Sequence, residues 1–400
     1  MKWKYIAATE FCDSVRDGTH DTPKPVENGY KLVTSKHIKE GHIDSSDAYY
    51  ISEADYIKIN ERSLVEEWDV LMSMIGTVGE VAVVKGKPDY AIKNIALFKC
   101  GGSQLKGKWL SYYLKTPDAK GHMIGNQKGS SQQFLALKQL RELPIAVTES
   151  AIMLKIVHIL SAYDDLIDNS QRQIKLLEEA AQRIYKEWFV DLRFPGHEHV
   201  KIVDGVPEGW KKCILDDVID FNPKMYIDKD RLKQSVPMSA LSTTSMILDS
   251  KEFTTTASNA GSKFKNGDTL LARITPCLEN GKTGFVDNIV SPEGAVGSTE
   301  FIVMRSKKIN PYIVYLLSRT ESFRKTAINS MTGSDGRQRA QVDKIKNYEY
   351  LLPTEDVISG FAELMEPLFM MVSACNKQCM RLTEARDRLL PKLMSGEIEV

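Results

Sequence analysis

The sequence lacks paired cysteines and any apolar run that is long enough to cross a membrane. Its six cysteines are scattered over 400 residues without a CxxC pair, so neither a disulfide framework nor a zinc finger is indicated. The apolar runs, such as LFMMV at 368–372, fall far short of the roughly 18 residues of a membrane span, and the N-terminus has no apolar stretch typical of a signal peptide. These absences favour a cytoplasmic protein.

Motifs for nucleotide and metal chemistry are incomplete. There is no GxGxxG turn, and the NPK and NPY stretches at 222–224 and 310–312 lack the full Asn-Pro-Pro-aromatic loop that binds a flipped adenine. ENGKTG at 279–284 resembles a phosphate loop, but Pro276 stands where the earlier glycine is required. HEH at 197–199 has no further ligand nearby in sequence, and we interpret it as a linker. We therefore predict no catalytic residue, no metal site and no cofactor bound by this chain.

A net charge of zero, from 53 basic and 53 acidic residues, hides an alternation along the chain. Basic residues exceed acidic ones by two in residues 1–147 and by four in 201–352, whereas acidic residues exceed basic ones by three in both 148–200 and 353–400. A neutral total does not exclude a basic face that holds DNA phosphates. The excesses are small, so charge permits a nucleic-acid partner without indicating one.

The chain contains an internal repeat at a displacement of 205 residues. QRQIKLLEEAAQRIY at 171–185 and NKQCMRLTEARDRLL at 376–390 agree at five of fifteen positions without a gap. The similarity extends upstream, where QKGSSQQFLALKQL at 127–140 parallels MTGSDGRQRAQVDKI at 331–345. A period of about half the chain predicts two copies of one arrangement, each an irregular domain followed by a long helix.

In both copies of the helix, apolar residues step alternately by four and three, which is the 3.5-residue period of a coiled-coil seam. Arg386 interrupts the second seam, and we interpret Asp164 and Asp165 as a solvated helix face. Because two stripes in one register can bury each other, we predict that the helices pair; separate packing on each domain is the alternative. The seam residues predicted for helix pairing and partner docking are Ile156, Leu160, Ile167, Ile174, Leu177, Ile184, Trp188, Phe361, Met365, Leu368, Val372, Leu382, Leu389 and Leu393.

The segments before the helices have a different pattern. Short alternating runs such as VAVV at 81–84 and STEFIVM at 298–304 are broken by Gly, Asn, Asp and Pro, which is typical of α+β domains. We predict an α+β fold with a pseudo-two-fold repeat, in which two globular domains with curved β-sheets are separated by two long helices. The predicted boundaries are 1–147 for the first domain, 148–192 for the first long helix, 193–352 for a linker and the second domain, and 353–400 for the second long helix.

Polar loops in both domains offer side chains suited to DNA; they lie at 16–25 and 125–133 in the first domain and at 333–339 in the second. Arg reads guanine through two hydrogen bonds, Gln reads adenine, and Ser, Thr and glycine amides hold phosphates. A solvated loop is the alternative for each of them. The residues predicted to bind DNA are Arg16, Thr19, His20, Lys36, Lys128, Ser130, Ser131, Gln132, Gln133, Lys263, Arg273, Ser334, Arg337, Gln338 and Arg339.

Several stretches together resemble the DNA-specificity subunit of type I restriction-modification systems: RDGTHDTP at 16–23, the Gly-Ser-Gln loop at 129–133, ELPIAVTE at 142–149 and LLEEAAQRIYKEWFVDLRFPG at 176–196. The resemblance covers nearly the whole chain. It implies two target-recognition domains, and an antiparallel coiled coil that spaces them and docks two methyltransferase subunits. The second domain has DFNPKMYIDKD instead of the DGTH stretch, so the roles of Thr19 and His20 do not transfer to it.

We therefore expect a non-catalytic scaffold that reads a bipartite, asymmetric site on double-stranded DNA. The resemblance implies partner methyltransferase subunits that bind S-adenosylmethionine, and restriction subunits that use ATP and Mg. Two alternatives stay open at this point: a self-contained DNA methyltransferase or nuclease with unrecognised motifs, and a structural coiled-coil protein that binds other proteins.

Overall fold

The computed structural model describes residues 3–39, 41–76, 78–125, 135–228, 231–287, 291–334 and 336–400. The predicted DNA-binding residues Lys128, Ser130, Ser131, Gln132 and Gln133 lie outside these ranges. The chain divides into two compact units: unit 1 comprises Met1–Leu166 and Arg381–Val400, and unit 2 comprises Ile167–Met380.

Unit 1 is built on a four-stranded sheet of order β2-β10-β7-β8, accompanied by a three-stranded sheet β6-β3-β9 and the pairs β1-β11 and β4-β5. Its strands are β1 (Lys4–Ala7), β2 (Ser14–Asp17), β3 (Tyr30–Val33), β4 (Ile38–Lys39), β5 (His42–Ile43), β6 (Tyr50–Ile51), β7 (Val70–Ser73), β8 (Val81–Val83), β9 (Tyr90–Ile92), β10 (Ile95–Lys99) and β11 (Pro144–Val147). The helices that begin in unit 1 are α1 (Ala8–Phe11), α2 (Glu53–Ser63), α3 (Gln104–Leu114), α4 (Pro117–Gly125), α5 (Leu137–Arg141) and the long α6 (Ser150–Tyr185).

Unit 2 has a four-stranded sheet of order β15-β22-β19-β20, a second sheet β17-β16-β21-β18, and the pairs β14-β23 and β12-β13. Its strands are β12 (Ile202–Val203), β13 (Val206–Pro207), β14 (Lys211–Ile214), β15 (Ile219–Phe221), β16 (Lys233–Val236), β17 (Thr254–Thr256), β18 (Ser262–Phe264), β19 (Thr269–Ala272), β20 (Thr283–Phe285), β21 (Ala295–Gly297), β22 (Phe301–Ser306) and β23 (Glu349–Leu352). The helices that begin in unit 2 are α7 (Pro311–Ser318), α8 (Glu321–Asn329), α9 (Val342–Lys346) and the long α10 (Glu355–Ser395).

The two units repeat one topology, as the sequence predicts. The parallel pair β3-β9 of unit 1 has its counterpart in β16-β21 of unit 2, and β1-β11 in β14-β23. In each unit an aspartate immediately precedes a strand of the main sheet, and the residue before that aspartate has a left-handed backbone. These residues are Trp68, with φ 69°, and Gly267, with φ 90°. The aspartates that follow, Asp69 and Asp268, are both buried, and each accepts a backbone N–H at 2.8 Å. The α+β fold with an internal repeat is thus confirmed.

In each unit the long helices run antiparallel and pack together. In unit 1 the first turns of α6, at Ile156 and Leu160, share a core with Leu390 and Leu393 near the end of α10. In unit 2 the end of α6 meets the start of α10, where the rings of Tyr185 and Phe361 lie 6.2 Å apart. The predicted antiparallel pairing is confirmed, because in both units one helix begins where the other ends.

Burial along the predicted seam is graded. Most seam positions are fully buried, which gives each helix an apolar stripe. The buried ones are Ile156, Leu160, Ile167, Ile174, Phe361, Met365, Val372 and Leu393. The half-buried ones are Leu177, Ile184, Trp188, Leu368, Leu382 and Leu389.

The polar interruption of the seam at Arg386 has a partner. Its Nη1 donates to Asp164 at 2.8 Å, and the Tyr112 hydroxyl donates to the other oxygen of the same carboxylate at 2.6 Å. The interpretation of Asp164 as part of a solvated face was therefore wrong. The sequence pattern places Asp164 outside the apolar stripe of α6, but side chains of α3 and α10 both contact it in unit 1.

The helix α10 is long and apolar enough, by length and composition alone, to cross a bilayer. Phe361, Met365, Phe369 and Val372 of this helix are buried in the core of unit 2, whereas only 22% of its apolar 18-residue window is buried. Length and composition alone do not distinguish a membrane span from a core helix.

Candidate nucleic-acid interface

The RDGTH stretch of unit 1 leaves β2 and docks on the turn between β9 and β10. Thr19 donates its N–H to the Ile92 carbonyl at 3.0 Å, and the Asn94 N–H donates to the Thr19 carbonyl at 3.1 Å. The approach is so close at Gly18 that an added Cβ would lie 2.4 Å from the Ile92 oxygen, so only glycine fits there. The loop is therefore held against the sheet edge by its backbone.

Two surface side chains, His20 and Arg62, contact the buried carboxylate of Asp17, and Asn94 in turn contacts His20. His20 Nε2 lies 3.0 Å from Asp17 Oδ2, Arg62 donates to Oδ1, and His20 Nδ1 lies 2.7 Å from the Asn94 side-chain oxygen. The Asp17 side chain is 6% exposed, whereas those of His20 and Arg62 are 64% and 61% exposed. We call these four residues the Asp17 cluster; it presents an imidazole, a guanidinium and an amide to solvent.

The other predicted residues of unit 1 have partners within the fold. Arg16 donates to the Arg62 carbonyl at 2.8 Å and to the Ser14 hydroxyl at 3.0 Å, so it braces the end of α2. Lys36 is exposed and donates to Asp47 at 2.8 Å. The neighbouring His37 is buried, and that burial lowers the pKa of its imidazole. Of the two predicted cations, Arg16 is half-buried and hydrogen-bonded within the fold, whereas Lys36 is exposed.

In unit 2 the described part of the predicted loop 333–339 lies beside the connection that follows β19. Arg339 bridges Ile274 and Thr332 through backbone pairing, and the Ala340 N–H donates to the Arg273 carbonyl at 2.8 Å. In unit 1 the Leu135 N–H, 205 residues earlier, donates to the Met74 carbonyl at 3.3 Å. Both units therefore place the segment that follows the predicted loop against the same connection of the main sheet.

Two of the predicted arginines of unit 2 surround one carboxylate. Arg339 binds Glu300 with two nitrogens, at 2.7 and 3.0 Å, and Arg273 Nε lies 3.9 Å from the same group. The Arg339 hydrogen bonds lower the pKa of the Glu300 carboxyl, and the same bonds raise the pKa of Arg339. Glu300 thus fixes the geometry of the Arg339 guanidinium, whereas Arg273 makes only the longer ion pair with it.

The remaining predicted residues of unit 2 are more open. Arg337 and Ser334 are exposed, and the Arg337 N–H donates to the Ser334 carbonyl at 3.0 Å in a tight turn. Gln338 and Lys263 are half-buried. Among the described residues, no hydrogen bond or ion pair engages the Arg337 side chain. The donors of this guanidinium are available to a ligand.

The sequence alone did not single out Asp17, Arg62, Asn94 or Glu300. A signal existed for Asn94, because an Asn between two apolar runs favours a left-handed turn residue, and its φ is 54°. Arg62 and Glu300 carried no such signal, since their partners lie 45 and 39 residues away.

No group of three or more His, Cys, Asp or Glu side chains is placed to hold a metal ion within the described part of the chain. The cysteines in that part are free, and Cys375 and Cys379 lie along α10. The polar clusters of both units are therefore surfaces of hydrogen-bond donors and acceptors, which is the chemistry that base edges and phosphates require.

Comparison with known proteins gives concordant results. Residues 1–179 match a family model described as the type I restriction modification DNA specificity domain. The MjaIX type I restriction enzyme specificity subunit of Methanocaldococcus jannaschii is 26% identical over 370 residues, which cover 86% of this chain and 84% of that protein. The EcoAI type I restriction enzyme specificity subunit of Escherichia coli is 29% identical over 200 residues, which cover 47% of this chain and 33% of that protein.

A solved structure shares the fold. The crystal structure of the type I restriction-modification S subunit from M. genitalium gives a TM-score of 0.56 at 14% sequence identity, and the match covers 98% of this chain and 96% of that chain. At this identity the likeness concerns the fold, and it extends over both units.

Proposed function

We propose that the chain is a DNA-specificity subunit of a type I restriction-modification system, and that it reads a bipartite, asymmetric target on double-stranded DNA. It is a non-catalytic subunit of such a system. We assign one part of the target to the recognition domain at residues 1–147 and the other part to the domain within 193–352. A fixed, non-specific spacer separates the two parts.

One observation carries this proposal: two units of the same topology present different polar side chains at corresponding places. The turn between β9 and β10 carries Lys93 and Asn94, whereas the turn between β21 and β22 carries Ser298, Thr299 and Glu300. A repeated scaffold supports two readers, and different side chains support different base choice. The target is therefore in two parts and is not a palindrome.

The partners that we propose are two methyltransferase subunits and, in the full complex, restriction subunits. S-adenosylmethionine, ATP and Mg then belong to those partners, in the cytoplasm. Apolar side chains on the outer faces of the long helices support docking there, because large apolar residues at the surface favour protein contacts. They are Leu154 and Leu166 in unit 1, and Leu176, Leu364, Met370, Met371 and Met380 in unit 2.

We expect Arg337→Ala to weaken binding to the specific target by about 1–3 kcal/mol and to relax choice at one position in the part read by unit 2. Its guanidinium is exposed, and its fork matches the two acceptors of guanine. The measurement is the affinity of the complex assembled with its methyltransferase subunits for specific and random duplexes at one salt concentration.

The matched control is Arg231→Ala, which removes another exposed arginine of unit 2 that is paired with Glu293. The control should leave both affinities unchanged. If Arg337→Ala also leaves both unchanged, loop 333–339 is a solvated loop and does not contact DNA.

A further inference from the structure

We propose that Arg62 and Asn94, with His20, read base edges in the part of the target bound by unit 1, and that Asp17 is the positioning residue that orients them. This inference rests on the proposed function. It adds Arg62, Asn94 and Asp17 to the reading surface. Asp17 lies within the RDGTHDTP stretch, whereas Arg62 and Asn94 lie outside it.

The geometry of Asp17 suits a positioning role. Its backbone ends β2, and its side chain is buried, so its carboxylate needs partners. Each of its two oxygens is taken by a different exposed side chain: Oδ1 by Arg62 and Oδ2 by His20. One rigid anion thus fixes two mobile surface groups, which reduces the conformational entropy that they lose on binding a ligand.

Arg62 is held at both its main chain and its side chain. Its carbonyl accepts a hydrogen bond from Arg16 at 2.8 Å, and this fixes the last turn of α2 relative to β2. An arginine has five N–H donors, and Asp17 occupies one nitrogen, Nη2. The guanidinium, 61% exposed, keeps donors for the two major-groove acceptors of guanine.

Asn94 is fixed in the same way by the turn that carries it. Its N–H donates to the Thr19 carbonyl at 3.1 Å, and its carbonyl accepts from the Ser35 hydroxyl at 3.2 Å. The side-chain oxygen lies 2.7 Å from His20 Nδ1, which leaves the amide NH₂ for a ligand. An amide and a guanidinium on one surface are the two groups that read adenine and guanine.

The surroundings supply a phosphate contact. Lys93, next to Asn94, donates to the Thr22 hydroxyl in the docked loop, so an ammonium lies beside the Asp17 cluster. In protein–DNA interfaces, contacts to phosphates position the protein, and contacts to base edges specify the sequence. The Lys93 ammonium is suited to the first role and the neighbouring side chains to the second. Removal of Arg62 leaves the buried Asp17 carboxylate with His20 as its remaining side-chain partner, so folding of unit 1 is checked for every variant of this pair.

The test uses the full chain assembled with its methyltransferase subunits, with two readouts: affinity for specific and random duplexes, and a methylation map of genomic DNA from long-read sequencing. We expect Arg62→Ala to reduce affinity for the specific target at least about tenfold and to relax one position in one part of the target only. Asp17→Asn keeps the size but loses the charge, and it should relax the same position.

Two further variants separate the explanations. Arg62→Lys keeps the charge without the planar fork, so it should preserve affinity for random DNA but not the base choice. Arg193→Ala is the matched control, because that arginine is 55% exposed and bound to Glu187, and it should change neither readout. Circular dichroism checks that the Asp17 and Arg62 variants are folded; Arg62→Lys, which keeps a cation beside Asp17, carries the test if the others are not.

Unchanged base choice in Arg62→Ala would overturn the inference. An equal loss of affinity on all sequences, restored by Arg62→Lys, would also overturn it, since Arg62 would then contact phosphate. If the wild-type complex itself shows no sequence preference, the proposed function fails before this inference is reached.

Discussion

Replacing Phe361 with alanine is expected to lower the free energy of unfolding of unit 2 by about 3–5 kcal/mol. Phe361 is fully buried at the start of α10, and its ring packs within 4.7 Å of the Phe189 ring and 5.4 Å of the Trp188 ring. Alanine would leave a cavity among these aromatic rings, which are too large and too well packed to close it. Tyr185, the last residue of α6, would also lose its contact with the Phe361 ring.

A urea titration followed by tryptophan fluorescence measures this effect, because Trp188 and Trp210 lie in the same aromatic cluster. The control is Met371→Ala on the same helix, whose side chain is 52% exposed. It should change stability by no more than about 0.5 kcal/mol. Equal unfolding midpoints for Phe361→Ala and wild type would contradict the helix pairing in unit 2.

Replacing Asp268 with alanine is expected to cost about 3–5 kcal/mol, because it breaks a buried ion pair from one side. The carboxylate accepts from Arg305 Nε at 2.7 Å, from Arg305 Nη2 at 2.6 Å and from the Lys265 N–H at 2.8 Å. Hydrogen bonds to Asp268 raise the pKa of Arg305, and the guanidinium stays charged without this partner as well, because an arginine side chain is not deprotonated in proteins. An unpaired guanidinium would then remain in the sheet of unit 2.

Thermal unfolding of the full chain is the measurement, with Arg231→Ala as the control for loss of an exposed ion pair in the same unit. Asp69→Ala offers an independent repeat of the test in unit 1, where that buried carboxylate binds Lys99 at 2.6 Å. If Asp268→Ala melts with the wild type, the repeated aspartate has no structural role in unit 2.

The long helices were predictable because their signal is local and periodic. The register places Ile156, Phe361 and Met365 on the buried stripe, and the structure buries all three completely. The exception at Arg386 was visible as an interruption, but its partner Asp164 is 222 residues away. A helical pattern indicates which face is buried and not which polar group faces it.

The candidate sites were only partly predictable for the same reason. The sequence located the polar loops at 16–25 and 333–339, since glycine and polar residues between apolar runs favour loops. It gave no means of knowing that Glu300 holds Arg339, or that Asp17 holds Arg62. These pairings form only when strands distant in sequence become neighbours. The roles of the loop residues on DNA stay predictions.

The most direct test of the central claim is a methylation map of genomic DNA from cells that express this chain with its methyltransferase subunits. The account predicts a split, asymmetric target with a constant spacer, in which Arg62→Ala alters only one defined part and Arg337→Ala only the other. A continuous palindrome, or the same methylated sites when this chain is absent, would contradict it.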